Sequence, residues 1–145
     1  MRKILVKSTS KTLSQKDLWD VVTALEKYPT WCKTCIKMIP TTLEVGAIYH
    51  DITTLLWVPL KIKHVVMKME PHKEIHIFLP LPGGGKMWHK FMLQQKGKEV
   101  LLISEITFDL GNKLKNATVG YLLEKRWIEL IEQGYPGLKV VKRIQ

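Results

Sequence analysis

The sequence predicts an α+β fold in a single domain, residues 1–145: a curved antiparallel sheet of about seven strands wrapped around a long C-terminal helix. Three observations predict it. An amphipathic segment follows one short extended stretch. Residues 36–110 then divide into short strands separated by Gly and Pro turn signals, which describes an antiparallel meander. Beyond these the apolar spacing returns to a helical period. A chain of 145 residues is long enough for one core that buries roughly two-thirds of the unfolded surface.

Residues 3–8 alternate and form the first strand. Ser14 is placed to cap a helix, and Asp17 suits the positive end of its dipole. Leu18, Val21, Val22 and Leu25 then trace one apolar stripe, and Pro29 is expected to close the helix because the residue before a proline resists helical geometry. Residues 30–35 are expected to add one short turn. Strands follow at 36–42, 47–57, 61–70, 73–79, 86–96 and 99–110. The final helix starts near Lys113 or Asn116. Ala117, Tyr121, Ile128 and Ile131 mark one face, and Val119, Leu123, Trp127 and Leu130 an adjoining stripe. Gly134 suits the left-handed position that ends it, with Pro136 just beyond.

Composition narrows the partners. A formal charge of +10 raises nucleic acid or an anionic membrane, but Arg2, Arg126 and Arg143 are the only arginines. Lysine cannot reproduce the planar fork that reads phosphates and bases, and the lysines are scattered, so nucleic acid is disfavoured. No apolar run approaches the roughly 20 residues that span a bilayer. The apolar stretch Ile4 to Val6 is too short for a signal peptide, and two cysteines cannot build a disulfide scaffold; the expected location is cytoplasmic.

The run SQKDLWDVVTALEKYPTW resembles the first-helix signature of the START and polyketide-cyclase (SRPBCC) superfamily. The match rests on Leu18 and Trp19, Leu25, Tyr28 and Pro29, and Trp31, and LEVGAIYH is similar to that family's glycine before the third strand. The resemblance spans nearly the whole chain and implies a helix-grip fold. It also implies a hydrophobic small molecule, such as a lipid or polyketide, bound between sheet and C-terminal helix. A minority of the superfamily are cyclases or dehydratases, so activity has to be argued from the cavity.

Strand parity selects the side chains expected to face that cavity. Glu105, Thr107 and Asp109 mark the outer side of the last strand, which turns Val100, Leu102, Ser104, Ile106 and Phe108 inward. Met87, His89, Phe91 and Leu93 are inward on the strand before it, and Ile75, Ile77 and Leu79 on the one before that. Asp51 is taken to mark the outer side of residues 47–57, placing Ile48, His50, Ile52, Thr54 and Leu56 inside. Residues 61–70 are ambiguous: the early half suggests Ile62, His64 and Val66 inward, whereas Lys68 argues for a bulge and a switch to Met67 and Met69. The candidate ligand-binding residues are therefore His50, Thr54, His64, His89, Phe91, Ser104, Phe108 and Tyr121. Each histidine is equally readable as a hydrogen-bonded sheet residue with no ligand.

No motif calls for a metal or cofactor. Cys32 and Cys35 are spaced as C-x-x-C, but they follow a helix and lead into a strand, the reverse of a redox motif. They lack the second ligand pair of a zinc site and read as small hydrophobes on a turn. The glycines at 83–85 precede a strand, and Met87 stands where a phosphate loop needs a hydroxyl, so a hairpin loop is expected. No inward carboxylate is apparent to orient a histidine, and Ser104 has no nucleophile elbow. Three classes remain: a carrier of a hydrophobic small molecule, a cyclase or dehydratase, and an interaction module using the basic surface. Trp57 and Trp88, outward near strand ends, suit an entrance, a homodimer contact or a covered edge.

Overall fold

The computed structural model of the chain describes residues 1–133 and 139–144, and side chains as far as residue 130. Strand β1 (Arg2–Ser10) leads to helix α1 (Gln15–Thr23), a 3-10 turn at Leu25–Lys27, and the single turn α2 (Tyr28–Trp31). Six strands follow: β2 (Cys35–Ile39), β3 (Ile48–Thr53), β4 (Leu60–Glu70), β5 (Glu74–Pro80), β6 (Lys86–Lys96) and β7 (Glu99–Asp109). Helices α3 (Lys113–Ala117) and α4 (Val119–Gln133) come next, and β8 (Lys139–Ile144) ends the described chain.

All strands belong to one antiparallel sheet in the order β2-β3-β4-β5-β6-β7-β1-β8. The seven predicted strands are present, and β8, which periodicity did not suggest, pairs with the outer side of β1. At the far side β2 is an edge strand of five residues, joined to β3 across a register shift between Cys35 and Lys37. The expected bulge in β4 falls between Val66 and Lys68. It brings Met69 onto the core, whereas Met67, expected inward, is exposed.

Helix α1 starts as its sequence dictates. Ser14 Oγ accepts from the Asp17 amide at 3.0 Å, and Asp17 Oδ2 accepts from the Ser14 amide at 2.9 Å, a reciprocal capping box. The helix stops at Thr23, however, well before Pro29. The proline instead sits in the first turn of α2, where its missing N–H costs nothing.

Helix α4 buries the predicted Leu123 and Ile128 and packs Trp127 and Leu130 against the core, but its buried face is rotated away from the other predicted positions. Gly120, Leu123, Glu124 and Ile128 are buried, with Trp127 partly so, while Ala117, Val119 and Tyr121 face outward. Two residues explain the rotation. A Cβ on Gly120 would stand 2.9 Å from Arg2 Cδ and 3.5 Å from the Phe108 ring, so the glycine lets the helix approach the sheet. Glu124 is buried because Arg2 Nε donates to its carboxylate at 2.5 Å, tying α4 to β1. Neither position carries a hydrophobic signal. Gly134, Pro136 and the side chain of Ile131 lie outside the described residues.

The core lies between the inner sheet face and the helices, centred on Ile4, Leu18, Ile75, Met87, Leu102, Ile106, Phe108 and Leu123. The predicted inward parity of β5, β6 and β7 is borne out along each strand.

Candidate functional site

Beside this core, toward the β2 edge, the interior opens into a cavity of about 120 Å³ between the inner face of β2 to β6 and helices α2 and α4. Its size is of the order of the ~150 Å³ apolar cavity that admits a benzene ring. Most of the wall is apolar. Leu55, Leu56, Leu60, Ile62, Ile77, Leu79 and Leu81 come from the sheet and its loops, Tyr28 and Trp31 from α2, and Trp127 and Leu130 from α4. The polar groups are few: Thr34, Tyr49, Asp51, Thr53, His64, His89 and the two thiols.

Parity on β3 is the reverse of that expected. Tyr49, Asp51 and Thr53 are buried, whereas Ile48 is exposed and His50, Ile52 and Thr54 are only partly covered on the opposite side. The strand also ends at Thr53, and Thr54 begins a turn closed by the Trp57 amide on the Thr54 carbonyl at 2.9 Å. A carboxylate was the marker for the outer face, on the ground that a lone buried charge is costly. Asp51 is not alone. Its Oδ1 lies 3.0 Å from His64 Nε2 on the neighbouring strand, with the two side chains 12% and 14% exposed. Tyr49, directly opposite His64 in register, stacks on the imidazole at 4.5 Å and 10° between planes. A carboxylate only accepts, so the pair fixes the proton of a neutral His64 on Nε2. Its Nδ1 has no hydrogen-bond partner among the described residues.

Three titratable groups on the wall, His89, Tyr49 and Cys35, stay neutral around pH 7. His89 Nε2 lies 2.8 Å from Ser104 Oγ in a buried pair, and burial with the nearby His64 pulls the His89 pKa down to about 3. Burial, reinforced by the Asp51 charge, pushes the Tyr49 phenol far above the usual tyrosine range. The Cys35 thiol is pushed up to about 12 by burial and by Asp51 and Cys32. Such a thiol is not a nucleophile at neutral pH. Both cysteines nevertheless lie on the cavity wall, a placement that their reading as simple packing residues did not include.

The loop after β3 meets α4 beside the cavity. Arg126 Nη2 donates to the Thr54 carbonyl at 2.8 Å, and its guanidinium lies 5.6 Å from the centre of the Trp57 ring. Trp57 itself is exposed and holds a left-handed backbone, φ 69°, which is uncommon for a bulky residue. Next along the helix, Trp127 lines the cavity with its ring edge-on to His89 at 5.6 Å. The Trp127 Nε1 and Arg126 Nε donors are buried without a partner among the described residues.

Of the predicted ligand-binding residues, the fold brings His64, His89 and Phe91 to the cavity. Ser104 stands behind it as the partner of His89. Phe108 is fully buried beneath Gly120, away from the lining. His50 is carried to the other side by the reversed parity of β3, and Thr54 lies in the turn beyond it, outside the lining. Tyr121 projects outward between Arg2 and Lys125, at 5.8 and 5.1 Å from ring centre to cation, because Gly120 and Glu124 set the buried face of α4. Trp88 lies on the outer sheet face against Phe78, ring centres 5.6 Å apart. Asp51, Tyr49 and Trp127 are the cavity groups that sequence reading missed. The signal for the first two was present as an alternative: Tyr49 and Leu55 form an inward set as apolar as Ile48 and Ile52.

No family model matches the sequence, and no curated protein matches it. Solved structures do. A START superfamily protein from Mycobacterium smegmatis superposes with a TM-score of 0.66 at 17% identity, over 90% of this chain and 90% of that one. The major latex-like protein 151 of Panax ginseng gives 0.71 at 9% identity, over 91% and 93%. A protein of the dynemicin biosynthetic locus gives 0.62 at 13% identity, over 89% of this chain and 45% of that one. At these identities the likeness is one of fold. The chain shares the helix-grip fold of these proteins, the fold that its first-helix residues imply.

Proposed function

We propose that this protein binds and carries a hydrophobic small molecule, of the lipid, polyketide or related classes, in the cavity between sheet and C-terminal helix. The observation that carries the reading is the cavity wall itself. It is aliphatic and aromatic on most sides, with the polar groups of β3 and β4 gathered on one side. Sites for small organic ligands have this make-up: broad apolar contact for affinity and a few polar groups for orientation. The ligand is then mainly apolar with one oxygen-bearing end. Both cysteines are free thiols, which agrees with a reducing compartment such as the cytoplasm.

Native mass spectrometry of the purified protein, before and after incubation with fatty acids and small aromatic ketones, tests this. A co-purifying or acquired mass is expected on the wild type. Ile77→Trp, which fills the cavity from the β5 wall, is expected to remove the adduct while circular dichroism stays unchanged. Uptake that is equal in Ile77→Trp and wild type would place binding elsewhere and end the reading.

A further inference from the structure

We propose that Asp51 and His64 form a proton-accepting site for the ligand, which selects hydrophobic molecules bearing a weakly acidic hydroxyl, a phenol or an enol, and holds them as the anion. The inference rests on the cavity reading above and deepens it.

The geometry assigns the roles. Asp51 Oδ1 engages His64 Nε2 at 3.0 Å, so the nitrogen left to accept a proton is Nδ1, which has no partner among the described residues. Both residues line the cavity, so a ligand seated there meets the pair. When the hydroxyl binds, its O–H bond breaks and the proton moves to Nδ1. The electron pair stays on the ligand oxygen. The imidazolium then lies between the Asp51 carboxylate and the new oxyanion, and the net charge of the site is unchanged, with no oxidant or further reactant. Stacking on Tyr49 at 4.5 Å fixes the ring plane, and a cation over an aromatic face is favourable.

The groups that face His64 leave it this role. On β3 they are Asp51, its carboxylate partner, and Tyr49, whose phenol burial keeps protonated. On β2 there is the Cys35 thiol, held neutral, and on β6 His89, held neutral by burial and already bonded to Ser104. None of these three accepts a proton near neutral pH. An apolar wall also makes an oxyanion beside an imidazolium favourable relative to either charge alone.

The test uses 4-nitrophenol, whose anion and neutral form absorb at different wavelengths, and 4-nitroanisole, which has the same ring and no acidic proton. Both are titrated into the full chain about one pH unit below the free phenol's own ionisation midpoint. The wild type is expected to bind 4-nitrophenol with growth of the phenolate band, and about tenfold more tightly than 4-nitroanisole. His64→Phe, which keeps a ring against Tyr49, is expected to lose the band and that tenfold preference for 4-nitrophenol over 4-nitroanisole. His64→Gln is the second variant should His64→Phe fold poorly, and Asp51→Asn is expected to weaken the band without abolishing uptake. Binding of both probes by the wild type with no phenolate band overturns this proposal and leaves the carrier reading standing. A band undiminished in the folded His64 variants also overturns it. Uptake of neither probe overturns both readings.

Discussion

His89 shows how one buried side chain writes a pH dependence into the fold. Its pKa lies near 3 in the folded protein against about 6.5 when unfolded, because burial disfavours the charged ring. Above pH 6.5 both states are neutral and its contribution to stability is fully present. As pH falls below 6.5 the unfolded chain takes up a proton that the folded chain refuses, so stability declines down to about pH 3. The loss is on the order of a few kcal/mol. Chemical denaturation between pH 7 and pH 4 should show it, and His89→Phe paired with Ser104→Ala should flatten the slope; an equal slope in that double variant would assign the effect to other groups. At the same scale lies the main misreading of the sequence. Asp51 looks like an outer-face marker until its partner His64 is known, and that partner sits on another strand at a register no spacing reveals. His89 was legible because alternation along its strand is clean, and His64 because it precedes the bulge in its strand; the meaning of Asp51 depended on pairing.

Among the elements, the capped start of α1 was readable residue by residue, since a capping box is a local pattern. Ser14→Ala removes one reciprocal bond and should cost about 1 kcal/mol, a drop of roughly 3 °C in Tm by calorimetry. Helix α4 was readable in existence and in part of its face: Leu123, Trp127, Ile128 and Leu130 pack on the core, whereas Val119 and Tyr121 do not. Its buried stripe runs through a glycine and a glutamate, the two residue types that a hydrophobic pattern scores lowest, and only the Arg2 pairing makes that stripe coherent. Leu55, Leu56 and Trp57 have strand composition, which predicts a strand to residue 57, whereas the chain turns there and is fastened to α4 by Arg126. Arg126→Ala loses a charge-assisted bond and the contact with Trp57 together. Stopped-flow exchange of a bound fluorescent ligand should then be several-fold faster, with the folded content unchanged; unaltered exchange would show that ligand does not pass by this loop.

For the whole molecule, the element order and the first-helix residues sufficed to name the fold, while the cavity's polar side depended on contacts between strands. A ligand held only by the folded state stabilises it by mass action, about 2.7 kcal/mol at a hundred times Kd. For a chain of 145 residues this should raise Tm by roughly 5 to 10 °C in differential scanning fluorimetry. An equal rise in Ile77→Trp would locate the binding outside the cavity. The cavity also touches the least-tied part of the sheet. Among the described strands β2 has a neighbour on one side only; it spans five residues with a register shift and contributes Cys35 and Met38 to the wall. Edge strands open locally more easily than central ones, so solvent deuterium should enter the β2 amides early. A guest lodged against Cys35 and Met38 would act as the neighbour that β2 lacks, and slowed deuteration confined to this strand would be its footprint.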